Sequence, residues 1–166
     1  MGEKRCVLGG VALLLGLAGG CQTAKDLPKS DFHFYIESKE NSQNATWIPT
    51  AILPVSGLSV GVCSYPAFFP KDVEFARIVT SNFGKCILFK LTQQAAIELY
   101  KLSVECSGRK IVFAFNGKAL GLSAPIDGTI MDGAFTIFPE VEESELETLV
   151  AEINDAATKV KNLKKN

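Results

Sequence analysis

The stretch from Lys85 to Leu122, KCILFKLTQQAAIELYKLSVECSGRKIVFAFNGKALGL, decides the fold. Lys85 to Leu91 reads as a strand that runs straight into a helix. Thr92 is placed to cap that helix, because its hydroxyl can accept a bond from an unpaired first-turn amide. Ala95, Ala96, Leu99, Leu102 and Cys106 then recur at helical spacing as an apolar stripe, and Gly108 stops it. Ile111 to Phe115 and Ala119 to Leu122 flank Asn116-Gly117, a dipeptide that accepts the positive φ angles of a type I′ hairpin turn.

Working upstream, Asp72 to Thr80 is a further strand, joined to the Lys85 strand through the turn residues Ser81-Asn82-Phe83-Gly84. Trp47 to Pro70 carries Pro49, Pro54, Pro66 and Pro70, so its strands should be brief or lie at edges, with Leu58 to Cys63 the best candidate. Phe32, Phe34 and Ile36 alternate with His33, Tyr35 and Glu37, the period of a half-buried strand. Between them, Lys39 to Thr46 is a polar loop.

Downstream, Thr129 to Phe138 reads as a strand interrupted by a bulge or turn at Asp132-Gly133. Ser144 and Glu147 form a capping box for a last helix, whose Leu146, Leu149, Val150, Ile153, Ala157 and Val160 share one face. Glutamates 140, 142, 143, 145 and 147 gather at its start and lysines 159, 161, 164 and 165 at its end, which suits the helix dipole. The expected fold is α+β: one mainly antiparallel sheet with two helices packed on one face.

The first residues speak to location. Lys4 and Arg5 precede an apolar run, Val7 to Leu17, and Ala18, Gly19 and Gly20 are small enough for a signal peptidase ahead of Cys21. That run is about half the ~20 residues needed to span a bilayer. The segment resembles a bacterial lipoprotein signal, which implies cleavage before Cys21 and a diacylglycerol on its thiol. The leucine usually three residues upstream lies one further back, at Leu17, so an ordinary cleaved signal is the alternative. The expected organisation is a removed signal at 1–20, a lipid-anchored linker at 21–30 and a single domain at 31–166. Gln22, in a place where aspartate signals inner-membrane retention in some bacteria, leans toward the outer membrane, facing the periplasm.

The formal charge of −1 is nearly balanced, and its basic residues are spread out apart from a short tail, so the footprint of a nucleic-acid binder is missing. Cys63, Cys86 and Cys106 lie in apolar stretches that favour buried thiols, although one pair could join as a disulfide. Their spacing and the single histidine, His33, fit no zinc site, and no metal or cofactor is assigned. His33 also has no serine or cysteine nucleophile motif to serve, while Asp127 and Asp132 are ordinary turn residues, so catalysis is not expected.

From about 86 to 153 the order of elements resembles the head of the first periplasmic domain of SecD, a component of the bacterial Sec protein-export machinery. Phe89, Leu91 and Thr92 match the strand that enters a helix; Gly108 and Arg109 precede the next strand; Gly117 is the hairpin glycine. Ser123, Ala124 and Pro125 match a serine-alanine-proline segment, and Ile130, Gly133 and Ile137 the following strand. These are backbone markers rather than catalysts.

The resemblance implies a non-catalytic binding domain held at the membrane, in contact with exported polypeptide or an envelope protein. A sheet edge or the proline-rich Val55 to Pro70 region, with Phe68 and Phe69, is the expected contact. A structural envelope lipoprotein with no part in secretion is the alternative reading. No small-molecule substrate is indicated.

Overall fold

The computed structural model describes residues 28–38 and 49–163. The signal, Cys21, most of the linker and Trp47 therefore lie outside the described residues. The elements in order are β1 (Phe32–Ile36), β2 (Thr50–Ile52), β3 (Ser59–Gly61), β4 (Val73–Ser81), β5 (Gly84–Leu91), α1 (Gln93–Glu105), β6 (Ile111–Phe115), β7 (Lys118–Leu122), β8 (Ala134–Pro139) and α2 (Leu146–Leu163). Six strands form one sheet in the order β1-β6-β7-β8-β5-β4, and β2 pairs with β3 in a separate two-stranded sheet. Every ladder is antiparallel.

Alternation along the strands decides which face is buried. Phe32, Phe34 and Ile36 of β1, Ile87, Phe89 and Leu91 of β5, Ile111 and Phe113 of β6, and Phe135 and Ile137 of β8 enter one core. Ala95 and Leu99 of α1 and Leu146, Leu149, Ile153 and Ala157 of α2 close over the same core, so both helices cover one face as the apolar stripes require. Phe34 sits at its centre, with its ring 4.8 Å from Phe89, 5.2 Å from Phe135 and 5.4 Å from Phe113. On the other face Val112 joins Val60 and Val62 under the β2–β3 hairpin.

Asn116 (φ 48°) and Gly117 (φ 78°) make the β6–β7 turn as the dipeptide predicts. Three local expectations need correction. Thr92 stands at the N-cap of α1, but its hydroxyl makes no capping bond. Its backbone is used instead, the N–H donating to Asp72 C=O at 2.8 Å and the C=O accepting from Ala96 N–H at 2.8 Å. Ser144 lies inside a short 3-10 turn, Glu143–Glu145, that leads into α2, so it forms no capping box.

Residues 129–133 are not strand. They run along α1, pinned where Ile130 N–H donates to Ser103 Oγ (2.9 Å) and where Leu91 N–H donates to Gly133 C=O (2.9 Å). Gly133 has φ +65° and lies so close to Ala96 that a β-carbon there would overlap the alanine methyl group. The dipeptide is thus a close approach between loop and helix, with no bulge in β8.

Gly133→Ala is expected to destabilise the domain by about 1–3 kcal/mol, from overlap and a disfavoured φ together. Urea unfolding should show a lower midpoint at unchanged slope; a midpoint within error of wild type would refute this account of the packing.

Candidate functional site

A sheet of this order has two edges, and the chain treats them differently. On β1, Phe34 N–H donates to Phe68 C=O (3.0 Å) and Phe34 C=O accepts from Ala67 N–H (2.7 Å). Ile36 C=O accepts from Cys63 N–H at 2.9 Å, so the segment around residues 62–68 covers that edge. The proline-rich region is therefore an edge cover, and Phe68 is buried at 1% exposure within the core. A partner-facing role for Phe68 is corrected by that burial, whereas Phe69 points outward at 37% exposure. The Phe69 ring lies 5.4 Å from His33 and under the Lys71 ammonium at 5.3 Å.

β4 is the other edge. Asn154, in the middle of α2, accepts from Ala76 N–H through Oδ1 (2.8 Å) and donates to Ala76 C=O through Nδ2 (2.9 Å). A side-chain amide thus satisfies both outward groups of Ala76, as a neighbouring strand would. Lys161 Nζ reaches Glu74 C=O, at the bulge between Val73 and Phe75, at 3.4 Å. From Phe75 to Ser81 the pairing with β5 is unbroken, so the two-residue period aims the N–H and C=O of Ile78 and Thr80 outward as well. Among the described residues nothing bonds to those groups. Past the turn, Phe83 is 88% exposed.

The opposite face holds a groove of about 560 Å³ between the β2–β3 hairpin and β6–β7, lined by Tyr35, Ala51, Val112, Ala119, His33 and Lys118 among others. Glu140, just beyond β8, ties down the hairpin tip: its Oε2 accepts from Val55 N–H and Ser56 N–H, each at 2.9 Å. Partial burial pushes this carboxyl up, but bonds from the Ser56 hydroxyl and from the Ser56 and Val55 amides outweigh it and leave Glu140 below its ordinary value of 4.5.

The motif positions prove to be partners. Gly108 N–H donates to Ile126 C=O and Ile126 N–H to Arg109 C=O, each at 2.8 Å. Ser123 N–H donates to Ile111 C=O (2.8 Å), and Ile111 N–H donates to Ser123 Oγ (2.8 Å). Gly108-Arg109 and Ser123-Ala124-Pro125 thus form one clamp that prolongs the β6–β7 ladder, with Gly108, Ala124 and Pro125 beside a shared cleft. Gly117, at the opposite end of the hairpin, borders the groove instead. Thr92 and Gly133 lie apart from the clamp, at the start of α1. Cys63, Cys86 and Cys106 are free thiols, the last two buried.

No family model matches the chain, and no curated protein does. Solved structures do. A crystal structure of SecDF in its super-membrane-facing form superposes with a TM-score of 0.54 at 14% identity, over 78% of this chain and 19% of that one. A second SecDF structure, of a membrane component that enhances protein export, gives 0.54 at 15% identity over 87% of this chain and 71% of that one.

The domain is SecD-like in fold.

The chain spans about a fifth of the first SecDF chain. Among the described residues no helix is long and apolar enough to cross a membrane. In this SecD-like domain the clamp and the turn glycine hold backbone, while the motif residues Phe89 and Leu91 pair with Ala76 and Val73 from the inner side of β4, and none of the motif residues lies on its outer edge. Sequence reasoning passed over Asn154 and counted Glu140 only among the glutamates at the start of the last helix, whereas it holds the hairpin tip. The signal for Asn154 was a polar residue on the same helical ridge as Val150 and Ala157.

Two outcomes test this geometry. Asn154→Ala leaves the N–H and C=O of Ala76 unpaired in a half-buried place, so it should cost about 1–3 kcal/mol and speed amide exchange at Ala76 in NMR; unchanged exchange would remove Asn154 as an edge cap. For Glu140, the folded carboxyl titrates below the unfolded one, so its tether is intact above the ordinary carboxylate range and is lost as pH falls through the lowered value. Amide exchange at Val55 and Ser56 should therefore rise on acidification below 4.5, beyond its intrinsic pH dependence, and Glu140→Gln should remove that extra rise.

Proposed function

We propose that this chain is a lipid-anchored envelope protein whose SecD-like domain holds extended polypeptide at the membrane surface, without catalysis. The lipid on Cys21 tethers the domain facing the periplasm, on the outer membrane by the residue that follows. The observation that carries the binding reading is the half-open edge of β4. Ile78 and Thr80 offer backbone donors and acceptors to an extended segment, while β1 at the other side is already covered. Strand addition draws its affinity from such main-chain bonds and accepts many sequences, which suits a partner that is not yet folded. The likeness to SecDF supports export as the setting.

Edges left open usually invite aggregation, and here α2 shields all but the last rungs. That restriction favours a short, reversible contact. Phe75 on β4 and Phe83 at its turn are exposed aromatics at the half-open edge, and Tyr65 and Phe69 are exposed in the segment along β1.

Photo-crosslinking residues placed at Thr80 and Phe83 of the full chain in intact cells should capture exported polypeptides in transit, and the mature N-terminal peptide should begin at a diacylglyceryl-modified Cys21. Capture no greater than from a membrane-bound lipid-peptide control would overturn the binding reading. An unmodified Cys21 in a protein retaining Met1 would overturn the anchoring.

A further inference from the structure

The open rungs of β4 face a wall with a definite charge. α2 runs antiparallel to β4: Lys161 lies at Glu74, Asn154 at Ala76, and Glu143, in the turn before α2, is ion-paired with Lys85, the cross-strand partner of Thr80. From Asn154, two helical turns back along the same ridge is Glu147, about 10 Å away at 1.5 Å per residue. From Ala76, four residues along the strand is Thr80, about 13 Å away. Glu147 therefore stands beside the Thr80 rung, and Val150 and Ala151, one turn back from Asn154, stand beside Ile78.

Side chains show which surface an incoming strand would use. Ala76 and Ile78 contribute to the main core, so they point to the helix side. Phe75, Arg77 and Val79 alternate with them and point to the other side. The β4 cation Arg77 is therefore on the face away from α2. Lys85 is already engaged by Glu143, while Glu145 and Glu147 are exposed and have no ion-pair partner among the described residues. The helix side of the crevice is apolar at Ile78 and anionic at Thr80.

Resting on the strand-addition reading above, we infer that the β4 edge selects short extended segments carrying a lysine or arginine two residues from a small apolar residue. Two rungs supply main-chain bonds, Ala151 and Val150 receive the apolar side chain, and Glu147 receives the cation. Asn154 terminates the site by occupying the next rung, which sets both its register and its length. Complementary charge at a partly exposed rim governs selectivity and association rate more than total affinity. An acidic segment meets Glu145 and Glu147 with like charge and is rejected.

The test uses the full chain and two fluorescent hexapeptides, serine-valine-threonine-lysine-threonine-serine and its counterpart with glutamate in place of the lysine, which put the charge two residues from the valine on one strand face, followed by fluorescence anisotropy at low and high salt. The basic peptide is expected to bind about tenfold more tightly than the acidic one, with the preference shrinking as salt rises. Thr80→Pro removes an outward N–H without breaking a bond to β5 and should abolish binding, while Thr80→Val, which keeps the N–H, should bind as wild type does. Glu147→Lys leaves the edge intact and should reverse the preference. Equal binding of both peptides, or a preference that Glu147→Lys does not change, overturns the inference of charge selection. Binding that survives Thr80→Pro in a protein with an unchanged melting temperature overturns the site itself. Crosslinked export substrates with no peptide preference would sink this inference and leave the proposed function standing.

Discussion

The phenylalanine cluster around Phe34 is the contact on which the rest of this fold depends. Phe34, Phe89, Phe113 and Phe135 come from β1, β5, β6 and β8, so a single knot of rings joins strands on either side of the β7–β8 seam. Such pairs contribute about 0.5–1.5 kcal/mol each beyond the burial of their area. The β7–β8 ladder in the middle of the sheet is short, pairing Gly121 with Pro139 and Leu122 with Phe138. A sheet with so few bonds at its centre needs side chains to hold its halves together, and the rings bridge that seam from the core side.

Gly121 shows why the seam is narrow. A β-carbon there would lie 2.5 Å from Phe138 C=O and 2.8 Å from Pro139 Cα, so only glycine lets β7 and β8 approach. The strand order leaves β1 and β4 at the two margins of the sheet. One margin is closed by the segment before the 3-10 turn at Pro70–Asp72. The other is closed over part of its length by polar side chains from α2. What is left open on β4 is a consequence of where Asn154 falls on the helix, because a side-chain amide can replace a strand partner at one rung only.

The SecD-like motif positions make physical sense within this frame. Gly108, Arg109, Ser123 and Pro125 concern the backbone clamp at one end of β6–β7, and Gly117 the turn at the other. They preserve a hairpin that presents Phe113 to the ring cluster on one face and Val112 to the β2–β3 hairpin on the other. A likeness carried by such residues follows the fold and is silent about chemistry, since each acts through backbone conformation or packing. The binding reading rests instead on β4 and α2, where the notable features are a pair of unfilled rungs and the charge beside them.

Much of the architecture is legible from local pattern. The alternation of β1, the apolar runs of β5 and β6, the Asn116-Gly117 turn and the two amphipathic helices all follow from residue type, from periods of two or about 3.6 and from dipeptide stereochemistry, which neighbours in sequence determine by themselves. The α+β class with both helices on one face follows too, because each stripe needs the same sheet to bury it. Only the tertiary structure decided that Phe68 is core and Phe69 surface, since adjacent residues differ in burial only once the segment is laid on the edge of β1. Tertiary structure likewise decided that Gly133 is a contact with Ala96, that 129–133 follow α1 instead of a strand, and that Asn154 caps Ala76 from 78 residues away in the chain. Those are long-range pairings, and no local period records which distant backbone group a polar side chain will meet.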